Sequence, residues 1–148
     1  MEVFAVIVAF ASVIVYLIIS SRAWNQRKNV ALIEPNDFEV AQAKLQAQAS
    51  LDRFRRLMEQ NPESYSSVKA ALPTAAVDEF EHIWVESLVP GSPETPWQGK
   101  LANDPIDLPG LKLGSDVSFP ESAIEDWIFE TSEDSIEGGF SLAAMRKN

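Results

Sequence analysis

The sequence predicts an α+β protein: an N-terminal transmembrane helix, then an amphipathic helix packed on a small, mainly antiparallel β-sheet. Three observations carry this. The chain opens on an uncharged apolar stretch from Val3 to Ile19. Between about 37 and 60, apolar residues recur every three or four positions, the period of a helix with one buried face. Beyond Pro62 the period falls towards two, in short runs broken by Pro, Gly, Asn and Asp. A helix followed by a run of strands is the element order of an α+β domain.

The opening stretch, VFAVIVAFASVIVYLII, has 17 residues, and Ser12 and the Tyr16 hydroxyl are its only polar groups. At about 1.5 Å per residue it covers about 25 Å, and Met1, Ser20 and Ser21 bring it near the thickness of a hydrocarbon core. Val3, Phe4, Ile7, Phe10, Val13, Tyr16 and Ile19 make it apolar all round, whereas a buried core helix keeps a polar stripe. A cleaved signal peptide fits less well. There is no basic leader, and the small-x-small triplet Ser21-Arg22-Ala23 carries an arginine. The expected organisation is a bilayer anchor at 1–21, a connector at 22–36 ending in Glu34-Pro35, and one acidic domain at 37–148. Arg22, Arg27 and Lys28 follow the apolar stretch and Glu2 precedes it, with Trp24 placed for the interface. The positive-inside rule then puts the domain in the cytoplasm, a periplasmic domain being the alternative.

The formal net charge is −10. Between Asp78 and Glu137 there are 15 Asp or Glu and two Lys, Lys100 and Lys112. Such a surface repels phosphate backbones, which argues against nucleic-acid binding, and it repels an anionic bilayer, so the domain stands off the membrane. The plain reading of the acidity is solubility. Cysteine is absent, which excludes disulfides, thiolate chemistry and Cys-based zinc sites but does not fix the compartment.

Asn36 is a good N-cap, with Glu39 placed as the partner of a capping box. Val40, Ala43, Ala47, Leu51, Phe54 and Met58 form one stripe on a helix from about 37 to 60, which Asn61-Pro62 ends. Its alanine-rich first half reads as a stalk and its second half as the part that packs. Arg53, Arg55 and Arg56 fall near the C-terminal end, where cations suit the helix dipole.

Tyr65 to Leu72 is a predicted strand stopped by Pro73. Glu79 to Val89 is the strongest strand signal in the chain. Alternation puts Phe80, His82, Trp84, Glu86 and Leu88 on one face and Glu81, Ile83, Val85, Ser87 and Val89 on the other. Both faces carry bulk, so this strand is expected inside the sheet. Pro90 to Pro96 is a loop, and Trp97 to Leu101 the next strand. Leu113 to Phe119 is a turn feeding a short strand, and Pro120-Glu121-Ser122 opens a single helical turn with Ile124 inward. Trp127 to Thr131 and Ile136 to Met145 are predicted as a hairpin around Ser132 to Ser135. Gly138-Gly139, inside its second strand, marks a bulge or a close backbone approach.

Chemistry has few places to reside. His82 is the only histidine. It cannot build a multi-histidine metal site, and Glu81 beside it points to the opposite face. His82 and Trp84 share a face, and the structural reading is a bonded histidine beside a packed tryptophan. Glu125-Asp126-Trp127 is the second constellation: a carboxylate ahead of a strand caps turns, and an Asp126 that reached His82 would orient the imidazole and raise its pKa. No G-x-S-x-G elbow, phosphate-cradling glycine loop or dinucleotide fingerprint is present, so no nucleophile, cofactor or metal is expected. The four tryptophans read as packing residues.

Glu81-His82-Ile83-Trp84-Val85, Gly99, Asn103-Asp104-Pro105, Leu113-Gly114-Ser115-Asp116-Val117, Ile124-Glu125-Asp126-Trp127 and Gly138-Gly139-Phe140 occur in this order. Together they resemble the YegJ-like bacterial family, domain of unknown function 2314, over about residues 49–148. The resemblance implies a bacterial chain with a small α+β domain; the anchor is read from this sequence and not from the resemblance, and in a bacterial chain it is expected as a single pass in the inner membrane. It brings no activity, cofactor or catalytic residue.

The expected function is a non-catalytic protein-binding or accessory subunit, partnered by a membrane subunit or a basic protein. One alternative is a small-ligand or enzymatic site around His82 and Asp126, with Glu81, Trp84, Trp127, Gly138 and Gly139 nearby. Another is an immunity or inhibitor protein whose acidic face masks a basic partner.

Overall fold

The computed structural model describes residues 37–131 and 135–145. The predicted anchor, the connector and the Asn36 cap lie outside the described residues. Among the described residues no helix is long and apolar enough to cross a membrane.

The predicted helix over 37–60 is two helices, α1 (Asp37–Ala49) and α2 (Leu51–Gln60). Ser50 separates them at φ −108° and ψ 8°. Its N–H donates to the Ala47 carbonyl, three residues back, and its hydroxyl donates to the Gln46 carbonyl at 2.7 Å. A serine hydroxyl bonded back onto the preceding turn bends a helix. Ala43, Ala47, Leu51 and Phe54 of the expected stripe are buried, whereas Val40 is exposed. The stalk expectation is corrected as well. Small alanines let α1 lie close to the sheet, and the Gln48 amide donates to the carbonyls of Glu121 and Ile124 at 3.0 and 2.7 Å.

Six strands follow: β1 (Ser66–Pro73), β2 (Phe80–Val89), β3 (Trp97–Leu101), β4 (Asp116–Phe119), β5 (Ile124–Glu130) and β6 (Ile136–Gly138). They form one sheet in the order β4-β3-β2-β1-β5-β6, with every neighbouring pair antiparallel. β2 is internal, as its two bulky faces predict. A 3₁₀ turn at Glu121–Ala123 carries the chain from the β4 edge back to β5 beside β1. From Phe119 to Ile124 the backbone reaches at most about 18 Å, while four strand spacings of a flat sheet come to about 19 Å. The sheet must therefore curl to let so short a crossover close.

Inside the curl, Val68, Ala70 and Leu72 of β1, Ile83 and Val85 of β2, Trp97 and Leu101 of β3, Phe119 of β4 and Trp127 of β5 meet Leu51 and Phe54. The Phe54 ring is stacked between two tryptophans, 4.8 Å from Trp127 and 6.1 Å from Trp97 between centroids. Offset stacking of this kind adds about 0.5–1.5 kcal/mol per pair beyond the area buried.

Two further expectations need correction. Leu88 packs against the core, on the face of Val85 rather than that of Trp84. The pairing of β2 with β3 slips between Glu86 and Val89, and Ser87 sits at φ 51°. This bulge reverses the alternation beyond Glu86. The predicted second hairpin strand ends at Gly138, and Phe140–Met145 is a helix, α3. Gly138 and Gly139, at φ 83° and 67°, turn the chain out of the sheet.

Candidate functional site

The seven residues singled out from the sequence divide between three places. The first is the interior under α3. Asp126 is fully buried. Its Oδ1 accepts the N–H groups of Trp127 at 2.8 Å and Phe140 at 3.0 Å, and its Oδ2 accepts the N–H of Ser141 at 2.9 Å and the Ser141 hydroxyl at 2.5 Å. A carboxylate 14 residues upstream thus serves as the N-terminal cap of α3, in the position where a negative charge suits exposed helix N–H groups. Burial raises the Asp126 pKa above its ordinary 3.8, against the lowering pull of the Ser141 side chain and the backbone donors. Trp127 lies alongside, its indole N–H donating to Ser50 Oγ at 2.9 Å and its ring meeting Phe140 edge-on at 5.7 Å. Of the glycine pair, Gly138 is the close approach: a Cβ there would sit 2.2 Å from the Trp127 carbonyl oxygen, whereas one on Gly139 would meet nothing nearer than 3.4 Å.

The second place is the end of the sheet where β2 begins. Glu81 accepts the N–H groups of Ile106 and Asp107, each at 2.8 Å, and so ties the 102–115 loop to the strand. The third is the face of the sheet turned away from the core. There His82 is exposed, and its Nδ1 lies 2.6 Å from Glu125 Oε2. Of the Glu125-Asp126-Trp127 constellation it is thus Glu125 that reaches His82, and Asp126 is engaged elsewhere. β1 lies between β2 and β5, and His82 stands opposite Ala71, a side chain small enough to be spanned. The register of β1 with β5 slips at Lys69/Ala70, opposite Ile124 to Asp126, and that slip brings Glu125 to His82.

Trp84 shares this outer face, opposite Lys69, and is nonetheless buried. Beside it, Ser67, Glu86, Lys100 and Asp116 stand in one row across four strands. Lys100 Nζ contacts Asp116 Oδ1 at 2.7 Å, and the Tyr65 hydroxyl donates to Glu86 Oε2 at 3.1 Å. Burial first, and the Glu86 charge second, push the Tyr65 phenol well above its ordinary range. Cross-strand pairs of this kind stabilise a sheet by tenths of a kcal/mol to about 1 kcal/mol each.

The sequence did not reveal the node around Arg55. Its guanidinium lies 5.3 Å from the Trp97 ring centroid, donates to the Gly91 carbonyl at 3.1 Å, and pairs with Asp52 and Glu121. Glu121 also accepts the Trp97 indole N–H at 3.0 Å. Arg53 in turn pairs with Glu137. These arginines bind tertiary partners instead of the helix end: the break at Ser50 moves Arg53 near the start of α2, and the last turn of α2 holds no basic residue. The nearest sequence signal was three arginines on a short helix in an otherwise acidic chain. Beside Arg55 an open groove of about 450 Å³ is lined by Met58, Glu59, Pro62, Leu88 and Pro90 among others.

Among the described residues no group of three or more His, Cys, Asp or Glu is placed to hold a metal ion. Both carboxylates among the seven candidate residues, Glu81 and Asp126, are engaged in backbone hydrogen bonds, and Glu125, outside that set, pairs with His82. Fold and site together define a small α+β domain with helices packed on a curled antiparallel sheet, whose other face sets buried Ser67 and Trp84 beside the charged side chains of His82, Glu86 and Lys100. Residues 37–148 match the model of a family described as an uncharacterized protein conserved in bacteria, DUF2314, and the chain belongs to that family. The match begins at 37 rather than about 49, which brings α1 into the family's domain. No curated protein and no solved structure matches the chain.

Proposed function

We propose that this chain is a membrane-tethered, non-catalytic accessory module that binds a protein partner. The observation that carries the reading is how Glu81 and Asp126, the carboxylates of the two sequence constellations, are used. Glu81 holds a loop and Asp126 holds a helix, each through backbone N–H groups, so both serve to shape the domain's surface. The uncharged Val3–Ile19 stretch supports tethering as a single pass in the bacterial inner membrane. Arg22, Arg27 and Lys28 favour a cytoplasmic domain. The charge of −10 favours a basic partner, either a membrane subunit or a toxin or enzyme held inactive.

The test is affinity purification of the full-length chain from detergent-solubilised membranes, at low and at high salt. A stoichiometric partner is expected at low salt and should be reduced at high salt, as electrostatic association requires. Recovery of the chain alone at both salt concentrations would overturn the reading. The exposed His82–Glu125 pair favours a small-ligand site instead. That reading loses the Asp126 contact it was built on.

A further inference from the structure

The β1–β2 turn and the β3–β4 loop meet where Glu81 binds Ile106 and Asp107. The loop is firmly held. Asp104 Oδ1 accepts the Leu113 N–H at 2.9 Å, Ser115 Oγ accepts the Lys112 N–H at 3.0 Å, and Leu108 is buried in the core. It nevertheless presents apolar side chains to the outside. Ile106 is 73% exposed, Val77 in the adjacent turn 87%, and Phe80 at the start of β2 53%; Leu111 and Leu113 are exposed as well. Asp78, Glu79, Asp104 and Asp107 are exposed among them, and Lys112 is the only basic residue of the two segments.

We propose that this end of the domain is a docking surface for a protein segment that carries apolar side chains flanked by lysine or arginine. Scattered apolar residues on a surface need no explanation, but several on two adjoining segments do. Hydrogen bonds fix the loop in advance, so a partner would not have to order it. Charge sets the sign of the partner: four carboxylates against one lysine attract a basic segment. They repel a second copy of the same surface and an anionic bilayer. The inference deepens the accessory-module reading and rests on it.

The experiment titrates the full-length chain, in nanodiscs of neutral lipid, with a labelled synthetic amphipathic Leu/Lys peptide, and subtracts binding to empty nanodiscs. A Leu/Glu peptide of the same pattern is the control. Saturable binding of the Leu/Lys peptide alone is expected, weakened about tenfold by the double substitution Phe80→Ser and Ile106→Ser. Both side chains are largely outside the core, so the double variant should keep its melting temperature. Gln98→Ala, on the outer sheet face, should bind as the unsubstituted chain does. Absence of saturable binding, equal binding of the Leu/Glu peptide, or undiminished binding by the double variant would each overturn the proposal. Self-association of the chain abolished by the same double substitution would also overturn it, by assigning the surface to a second copy. If the double variant still co-purifies a salt-sensitive partner from membranes, this surface is wrong and the accessory reading stands. If the unsubstituted chain recovers none, that reading fails with it.

Discussion

Gly138→Ala is expected to destabilise the domain by about 3–5 kcal/mol, a large part of the 5–15 kcal/mol that typically holds a domain together. Two costs combine. Gly138 sits at φ 83°, where a side chain costs about 1–2 kcal/mol. An added Cβ would also meet the Trp127 carbonyl oxygen at 2.2 Å and two ring carbons at 2.6 and 2.9 Å. These neighbours are backbone and a ring stacked on Phe54, so neither yields without disturbing the core. Gly110→Ala separates the two costs. Gly110 has nearly the same φ, 77°, with nothing within 4 Å of the added atom, so only the backbone cost of about 1–2 kcal/mol should appear. Thermal and chemical melts of both variants decide it. Equal losses would show that the contact with Trp127 is not as close as described.

Asp126→Asn is expected to cost about 2–4 kcal/mol, because one carboxylate accepts four hydrogen bonds and an amide can accept on only one of its two atoms. The amide NH₂ would face donors it cannot satisfy, and α3 should fray first. Loss of protection at the Phe140 and Ser141 amides in hydrogen exchange would report this. The pH dependence has a definite sign. Burial raises the folded-state pKa of Asp126 above its ordinary 3.8. The cost of burying its charge is thus absent below about 3.8 and sets in as pH rises through the raised value, offset in part by the four hydrogen bonds, so that stability falls across that window. In the asparagine variant this acidic-range slope should disappear. A slope unchanged by the substitution would place the responsible carboxylate elsewhere.

Much of the sheet was legible in the sequence because its signals are local. Trp97–Leu101 is read to the residue, since Pro96 delays its start and Asn103-Asp104-Pro105 follows its end. β2 is recognised as internal from the bulk on both its faces. What escaped depends on contacts distant in the chain. α3 spans six residues, too few for a repeat to show, and stands on a cap supplied by Asp126. The break at Ser50 looks like helix in any periodicity count, because Ala47 and Leu51 on either side keep the spacing. Its bond to Trp127 Nε1 is a tertiary fact. The bulge at Ser87 uses a non-glycine residue at positive φ, which leaves no signal in composition. The seven residues singled out from the sequence do not form one cluster, and the pairing within them was not legible. Glu125 rather than Asp126 reaches His82 because of a register slip two strands away. Gly138-Gly139 was legible as a bulge or a close approach; the structure makes Gly138 the close approach, and its partner, Trp127, was not legible.

The proposed function depends most on the tether, the opening stretch of the chain held in a bilayer. Alkaline carbonate extraction of membranes from cells that produce the full-length protein tests it most directly. The account predicts that the intact chain stays in the pellet. Val13→Lys, which costs about 2.5–3.5 kcal/mol near the middle of a span, should shift part of it to the supernatant. Full-length, unprocessed chain in the supernatant without detergent would contradict the tether and remove the setting in which the partner is sought.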